Sequence, residues 1–328
     1  MIITRTPYRI SFFGGGTDYP KYYNEYGGAV LSTTINKYCY INCRELPPFF
    51  DFKYHIRYSK FETTNFLDDV KHPSVRECLR YLNIEKNIEM AHTGDIPARS
   101  GIGSSSAFTV GFLHALYALQ GMMVTKRQLA YDAIHVEQEM IKENVGSQDQ
   151  VAAAFGGFNK IEFDTTRKLW VTPVTLNSEK LDELQSRFLL YFTGLSRIGS
   201  DIAKEQIRKT PQISKELGEM YTRVDEALSI LNSRDENLDD FGRLLHESWM
   251  QKKGLTEKIS TKEIDGIYDE AMNAGALGGK LCGAGGGGFI LLYVSPGRQD
   301  KVKKRLKGLL NVPFRFENIG SHVIFYST

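Results

Sequence analysis

The stretch Asp95-Ile-Pro-Ala-Arg-Ser-Gly-Ile-Gly-Ser-Ser-Ser-Ala107 runs a glycine- and serine-rich loop straight into an apolar segment. Phe108, Phe112, Ala115, Leu116 and Leu119 recur at helical spacing, which predicts a helix from Ser104 to about Gln120. The first turn of a helix leaves backbone N–H groups unpaired, at the positive end of the helix dipole. A phosphate fits such a place. One serine is enough for an N-cap, and three in a row after Gly-Ile-Gly exceed what capping needs. The expected phosphate-binding residues are therefore Arg99, Ser100, Gly101, Gly103, Ser104, Ser105 and Ser106. One serine hydroxyl is also available as a magnesium ligand.

Outward from this loop, strands and helices alternate without a simple repeat. Residues 2–13, 29–45, 53–59 and 86–93 read as strands, rich in β-branched and aromatic residues and broken by Gly, Pro and Asn. A second helix is predicted over 126–142, and strands over 158–163 and 169–174. The second half begins with the strand 188–192. Helices follow over 200–209, 213–232, 236–250 and 261–273, then the apolar strand Phe289–Val294, a basic helix near 298–309 and two closing strands. A chain of 328 residues is too long for one compact core. Mixed elements in both halves predict an α+β protein of two lobes, 1–178 and 179–328.

Charge excludes some partners. The net charge of +2 gives no basis for binding nucleic acid or an anionic membrane. No apolar run reaches the roughly 20 residues of a membrane span, and the opening Met1-Ile-Ile-Thr-Arg-Thr-Pro does not read as a secretory leader. Cys39, Cys43, Cys78 and Cys282 show no zinc-ligand spacing and are expected to be reduced, buried thiols, which points to the cytoplasm.

Two more glycine-rich segments accompany the serine loop. In Thr6-Pro-Tyr-Arg-Ile-Ser-Phe-Phe-Gly-Gly-Gly-Thr-Asp-Tyr19 a strand bearing Arg9 runs into Gly14, Gly15 and Gly16, and Asp18 follows. Such glycines let a ligand approach the backbone, and a carboxylate beyond them can accept from vicinal hydroxyls. A strand, a turn and a surface aspartate explain that segment equally well. In Lys280-Leu-Cys-Gly-Ala-Gly-Gly-Gly-Gly-Phe289, Gly283, Gly285 and Gly288 match G-x-G-x-x-G, yet the segment opens a strand. A dinucleotide fingerprint must open a helix, so that reading fails. The P-loop pattern fails as well, because Leu281 follows Gly279-Lys280. Four consecutive glycines carry a large entropic cost unless something packs close to them, and substrate beside Gly285 and Gly286 is the expectation. Between these segments lie two acids, Glu137 in His135-Val-Glu-Gln-Glu-Met140 and Asp149 in Val145-Gly-Ser-Gln-Asp-Gln150, with Gly146 read as the helix end. Phosphoryl transfer to an alcohol needs a metal, a positive clamp and a carboxylate at the attacking hydroxyl, and two such acids suit metal ligand and base.

Pro7-Tyr-Arg-Ile, the Pro97 to Ala107 loop and Gly283-Ala-Gly-Gly-Gly-Gly288 resemble, in order, the three motifs of GHMP kinases, over about residues 2 to 294. The resemblance implies a lobe like the second domain of ribosomal protein S5 followed by a ferredoxin-like lobe. It also implies ATP and Mg²⁺ as cofactors and a small-molecule sugar or sugar phosphate as the partner bound in the cleft. Carried over by position, it makes Asp149 the catalytic acid–base group, with Arg9 beside it. Glu137 and Ser105 become magnesium ligands, three serines in a row leaving that register open by one, and Asp18 becomes the sugar-hydroxyl acceptor.

One departure narrows the substrate. Galactokinases carry Gly-Glu-His-Thr-Asp-Tyr where this chain has Gly14-Gly-Gly-Thr-Asp-Tyr19, so two polar contacts to galactose are missing. The string Arg9 to Pro20 instead resembles the D-glycero-D-manno-heptose phosphate kinases, which implies phosphorylation of the anomeric hydroxyl of heptose 7-phosphate. A fucokinase-like enzyme or another neutral-sugar 1-kinase is the alternative, and a non-catalytic sugar or nucleotide sensor the third. A substrate that already carries phosphate needs a second cation. Arg197, in Thr193-Gly-Leu-Ser-Arg-Ile-Gly-Ser-Asp201, is the candidate, with Lys204 one turn later and Arg99 as the alternative.

Overall fold

The computed structural model describes residues 1–98, 100–195, 199–233 and 237–327. The chain opens with β1 (Ile2–Phe13), α1 (Pro20–Tyr26) and the long β2 (Gly28–Glu45). The hairpin β3 (Tyr54–Arg57) and β4 (Phe61–Thr64), α2 (Pro73–Tyr81) and β5 (Ile88–Gly94) follow. Helices α3 (Ser104–Leu119), α4 (Lys126–His135) and α5 (Gln148–Phe155) lead into β6 (Phe158–Phe163) and β7 (Leu169–Pro173). Next come α6 (Ser178–Ser186), β8 (Phe188–Phe192), α7 (Gly199–Lys209), α8 (Ser214–Asn232), α9 (Asp239–Leu255) and α10 (Lys262–Asn273). The chain closes with β9 (Gly278–Leu281), β10 (Phe289–Tyr293), α11 (Gln299–Arg305), β11 (Leu310–Asn311), β12 (Phe316–Glu317) and β13 (His322–Tyr326).

Two sheets carry these elements. The first has nine strands, built on the path β13-β1-β2-β5-β3-β4. Strand β2 is long enough to pair twice along one edge, Gly28–Thr33 with β6 and Cys39–Glu45 with β5. Strands β12 and β13 pair with β2 and β1, so the end of the chain returns to the sheet in which it began. A single cut at 178/179 therefore does not separate the two sheets. The second sheet is antiparallel, in the order β11-β8-β10-β9. Phe12 joins the two. Its ring meets Phe188 of β8 at 5.2 Å, Phe158 of β6 and Phe241 of α9 at 5.6 Å, and Phe316 of β12 at 6.2 Å.

Helix α3 is buried on nearly every side from Ser106 to Leu116, as its apolar composition requires. That fixes the serine loop at the edge of the core rather than on a mobile surface. Helix α9 reaches the second sheet through glycine contacts. A Cβ on Gly242 would lie 2.4 Å from the Tyr293 ring, and one on Gly278 would lie 1.9 Å from the Gly242 carbonyl oxygen. The helix expected over 126–142 is α-helical only to His135, and residues Val136–Met140 form a π turn closed by Ile141 N–H donating to Val136 O at 2.9 Å. The α1, α2, α5, α6 and β9 elements were not legible as separate units, and three strands rather than two close the chain. All four cysteines are buried free thiols.

Candidate active site

A cavity of about 270 Å³ opens where the three glycine-rich segments meet. Gly101 and Gly103 have φ of +81° and +75°, a backbone region open to glycine, and Gly103 is the N-cap of α3. A Cβ on Gly101 would lie 2.4 Å from the Cys282 carbonyl oxygen, and one on Gly283 would lie 2.7 Å from the Gly101 Cα. A Cβ on Gly288 would lie 2.2 Å from the Ser100 carbonyl oxygen. The four-glycine segment thus packs on the backbone of the serine loop. Gly285 lines the cavity, whereas Gly286 N–H donates to Ile259 O at 2.9 Å and lies outside the lining.

Gly101, Gly103 and Ser104 to Ser106 line the cavity. Ser100 is buried behind them, and Arg99 lies outside the described residues. Asp149 sits in the first turn of α5, where the helix dipole favours a carboxylate. Arg9 grips it with two parallel bonds, Nε to Oδ1 at 2.7 Å and Nη2 to Oδ2 at 3.0 Å, and its Nη1 donates to Gly101 O at 2.8 Å. This fork fixes both the carboxylate plane and its distance from the serine loop.

Asp18 is buried, and its carboxylate accepts from Gly16 N–H at 2.9 Å and, more weakly, from Gln148 N–H at 3.5 Å. Burial, and then the charge of Asp149, push its pKa above the usual carboxylate range. Gly146 does not end a helix, because the helical run stops before Lys142, which has φ +62°. Its missing side chain makes room for Asp18 instead. A Cβ there would lie 1.8 Å from Asp18 Oδ2. Gly15 and Gly16 face the cavity, while Gly14 packs on the Ala29 carbonyl oxygen, 1.9 Å from where a Cβ would be.

Glu137 is fully buried on the π turn. Its Oε2 accepts from Ser106 Oγ at 2.8 Å and from Gln150 Nε2, and its Oε1 has no partner among the described residues. Burial pushes its pKa up to about 7. The serine beside it is Ser106, which lines the cavity; Ser105, the residue expected there, is exposed. A π turn at this point swings Glu137 inward, a common use of such turns at functional sites. Among the described residues no group of three His, Cys, Asp or Glu side chains could hold a metal.

Two buried lysines escaped the sequence reading. Lys252 Nζ donates to Gly283 O and Lys280 Nζ to Phe12 O, both at 2.8 Å, and both side chains line the cavity. A signal for Lys252 did exist. Phe241, Leu245, Ser248, Lys252 and Leu255 fall at helical spacing, so a lysine occupies a core-facing position of α9. Arg197 lies outside the described residues, but Gly199 and Ser200 at the start of α7 line the cavity.

An α+β fold whose two sheets meet at the serine-loop helix and a fixed carboxylate is the frame in which the comparisons place this chain. Residues 71–157 match the family model described as GHMP kinases N terminal domain, and residues 229–311 match GHMP kinases C terminal. The D-glycero-alpha-D-manno-heptose 7-phosphate kinase of Campylobacter jejuni is 32% identical over 321 residues, covering 93% of each chain. A galactokinase of Thermotoga neapolitana is 23% identical over 95% of each. A crystal structure described as a D-glycero-D-manno-heptose 1-phosphate kinase from Bacteroides thetaiotaomicron superposes over all of both chains with a TM-score of 0.82 at 26% identity. The chain belongs to the GHMP kinase family and is a sugar kinase. ATP is the phosphoryl donor of that family. No described helix is long and apolar enough to cross a membrane.

Proposed function

We propose that this kinase transfers the γ-phosphoryl group of ATP to the anomeric hydroxyl of D-glycero-D-manno-heptose 7-phosphate, giving the 1,7-bisphosphate. The observation that carries this reading is the Arg9–Asp149 fork, set between the serine loop and the Asp18 loop. The acceptor hydroxyl gives its proton to Asp149 as its oxygen bonds to the γ-phosphorus. The bond from that phosphorus to the β–γ bridging oxygen breaks, and ADP leaves. Arg9 holds the carboxylate in line for that proton. Asp18 accepts from sugar hydroxyls, and Ser11 Oγ, Gln148 Oε1 and Gln206 Nε2 are buried cavity atoms with no partner among the described residues, suited to a polyhydroxylated acceptor.

The donor set also suits Mg²⁺, which takes hard oxygen ligands and usually only one or two protein carboxylates. Glu137 Oε1, buried without a partner, and Ser106 Oγ would hold it. Bound there, the ion would neutralise phosphate charge. A phosphate on the acceptor is supported by the names of the two heptose-phosphate relatives, and Arg197 remains the residue proposed to meet it.

The test is ADP release from ATP with a panel of acceptors: heptose 7-phosphate, free heptose, fucose, galactose and mevalonate. Turnover is expected to be highest with heptose 7-phosphate. Equal turnover of free and phosphorylated heptose would remove the need for a second anion site and favour a neutral sugar. No turnover with any acceptor would leave a sensor as the better reading.

A further inference from the structure

Lys252 is a buried amine, 6% exposed, that forms no direct ion pair among the described residues. Of its three donors one goes to the Gly283 carbonyl. Nζ also stands 3.8 Å from where a Cβ of Gly15 would be, the same distance from that point as Ser11 Oγ. The amine thus bonds the strand turn stacked on the phosphate loop, through Gly283, and faces Gly15 of the acceptor loop across the cavity. The charged groups around it are Asp18 and Asp149, which favour its charge, and Arg9 and Lys280, which oppose it; the Cys282 thiol is kept neutral by burial. Lys280 is driven well below its ordinary pKa by burial and by Lys252. Burial works against the charge of both amines, and more strongly for Lys280.

Burying an ammonium without a carboxylate is costly, and a core-facing helix position would otherwise take an apolar residue. The position makes sense if an anion completes it. We propose that Lys252 binds the phosphoryl group during transfer, as the positive clamp between donor and acceptor. The inference rests on the reading of this cleft as a phosphoryl-transfer site. Its placement selects the transferred group over a distal phosphate of the sugar, because Lys252 lines the cavity with both loops, within electrostatic reach of Arg9 and Asp149. In the transfer step the charge spreads over three equatorial oxygens, and a fixed ammonium aimed at one of them needs no reorganisation.

Two substitutions in the full chain test this, each first shown to fold by its melting curve. Lys252→Met should lower kcat by about 10²-fold or more, the usual cost of removing one transition-state donor. Its KM for the sugar should stay within about threefold of the parent. ADP should still bind, while the tighter complex of ADP with aluminium fluoride, which mimics the phosphoryl group in transfer, should be lost. Desolvation lowers the Lys252 pKa to about 8, so the parent kcat/KM should fall above that pH as the ammonium loses its proton. Lys252→Arg stays charged, so it should recover part of the rate and abolish that alkaline fall. A folded Lys252→Met with kcat within about threefold of the parent overturns the clamp alone. So does a loss confined to the sugar KM, which would make Lys252 an acceptor contact. A parent that transfers phosphate to no sugar overturns the reading of the cleft and this inference with it.

Discussion

Replacing Asp149 by Asn keeps the shape of the side chain and removes an oxygen proposed to take the proton. Loss of a general base costs about 10² to 10⁴ in rate, so Asp149→Asn should fall by that factor in kcat while its ADP affinity, read by calorimetry, stays at the parent value. A variant with more than half the parent rate would contradict the assignment. The serine proposed to hold magnesium separates just as sharply. Ser106 donates to the buried Glu137, whereas Ser105 is exposed. Ser106→Ala should therefore shift the magnesium activation curve to higher concentration, with partial rescue at saturation, and Ser105→Ala should leave it unchanged. The reverse order would restore the register read from the sequence. Arg9, Asp18 and Asp149 were legible as candidates only through their place in the three motifs, since an arginine or an acid beside a glycine-rich loop reads equally well as a surface charge. Lys252 was not, since a helical lysine is ordinarily solvated and only its phase with Leu245 and Ser248 betrays it.

Among the elements, the contact that shapes the cleft is glycine on glycine. Gly283 has φ +77° and no room for a Cβ against Gly101. Gly283→Ala should lower stability by about 1–3 kcal/mol from backbone strain alone. It should also raise the KM for ATP, because the serine loop must move away from it. A parent-like melting temperature together with a parent-like KM for ATP would show that the two loops do not depend on each other. The sequence demanded a close neighbour for Gly283 to Gly288 but could not name it, because the partner loop lies in the other half of the chain. The π turn was equally hidden. Periodicity through His135-Val-Glu-Gln-Glu-Met140 fits an α-helix, and only tertiary packing turns Glu137 inward.

For the whole molecule, Phe12 is the joint. It contacts rings from β6, β8, α9 and β12, so both sheets close around it. Phe12→Ala should cost about 3–5 kcal/mol in urea unfolding, the range for emptying a buried aromatic site. A loss below about 1 kcal/mol would mean the sheets are held together elsewhere. Most strands were legible from local β-branched and aromatic composition, but the return of β12 and β13 to the first sheet was not, because pairing across the whole chain leaves no local trace. What this assembly does is decided most directly by phosphorus NMR on a reaction of the purified chain with ATP, magnesium and D-glycero-D-manno-heptose 7-phosphate. The expected result is a new phosphate signal coupled to the anomeric proton, growing in step with ADP while the 7-phosphate signal persists. A phosphate on any other hydroxyl, or ATP left unconsumed with this acceptor, would contradict it.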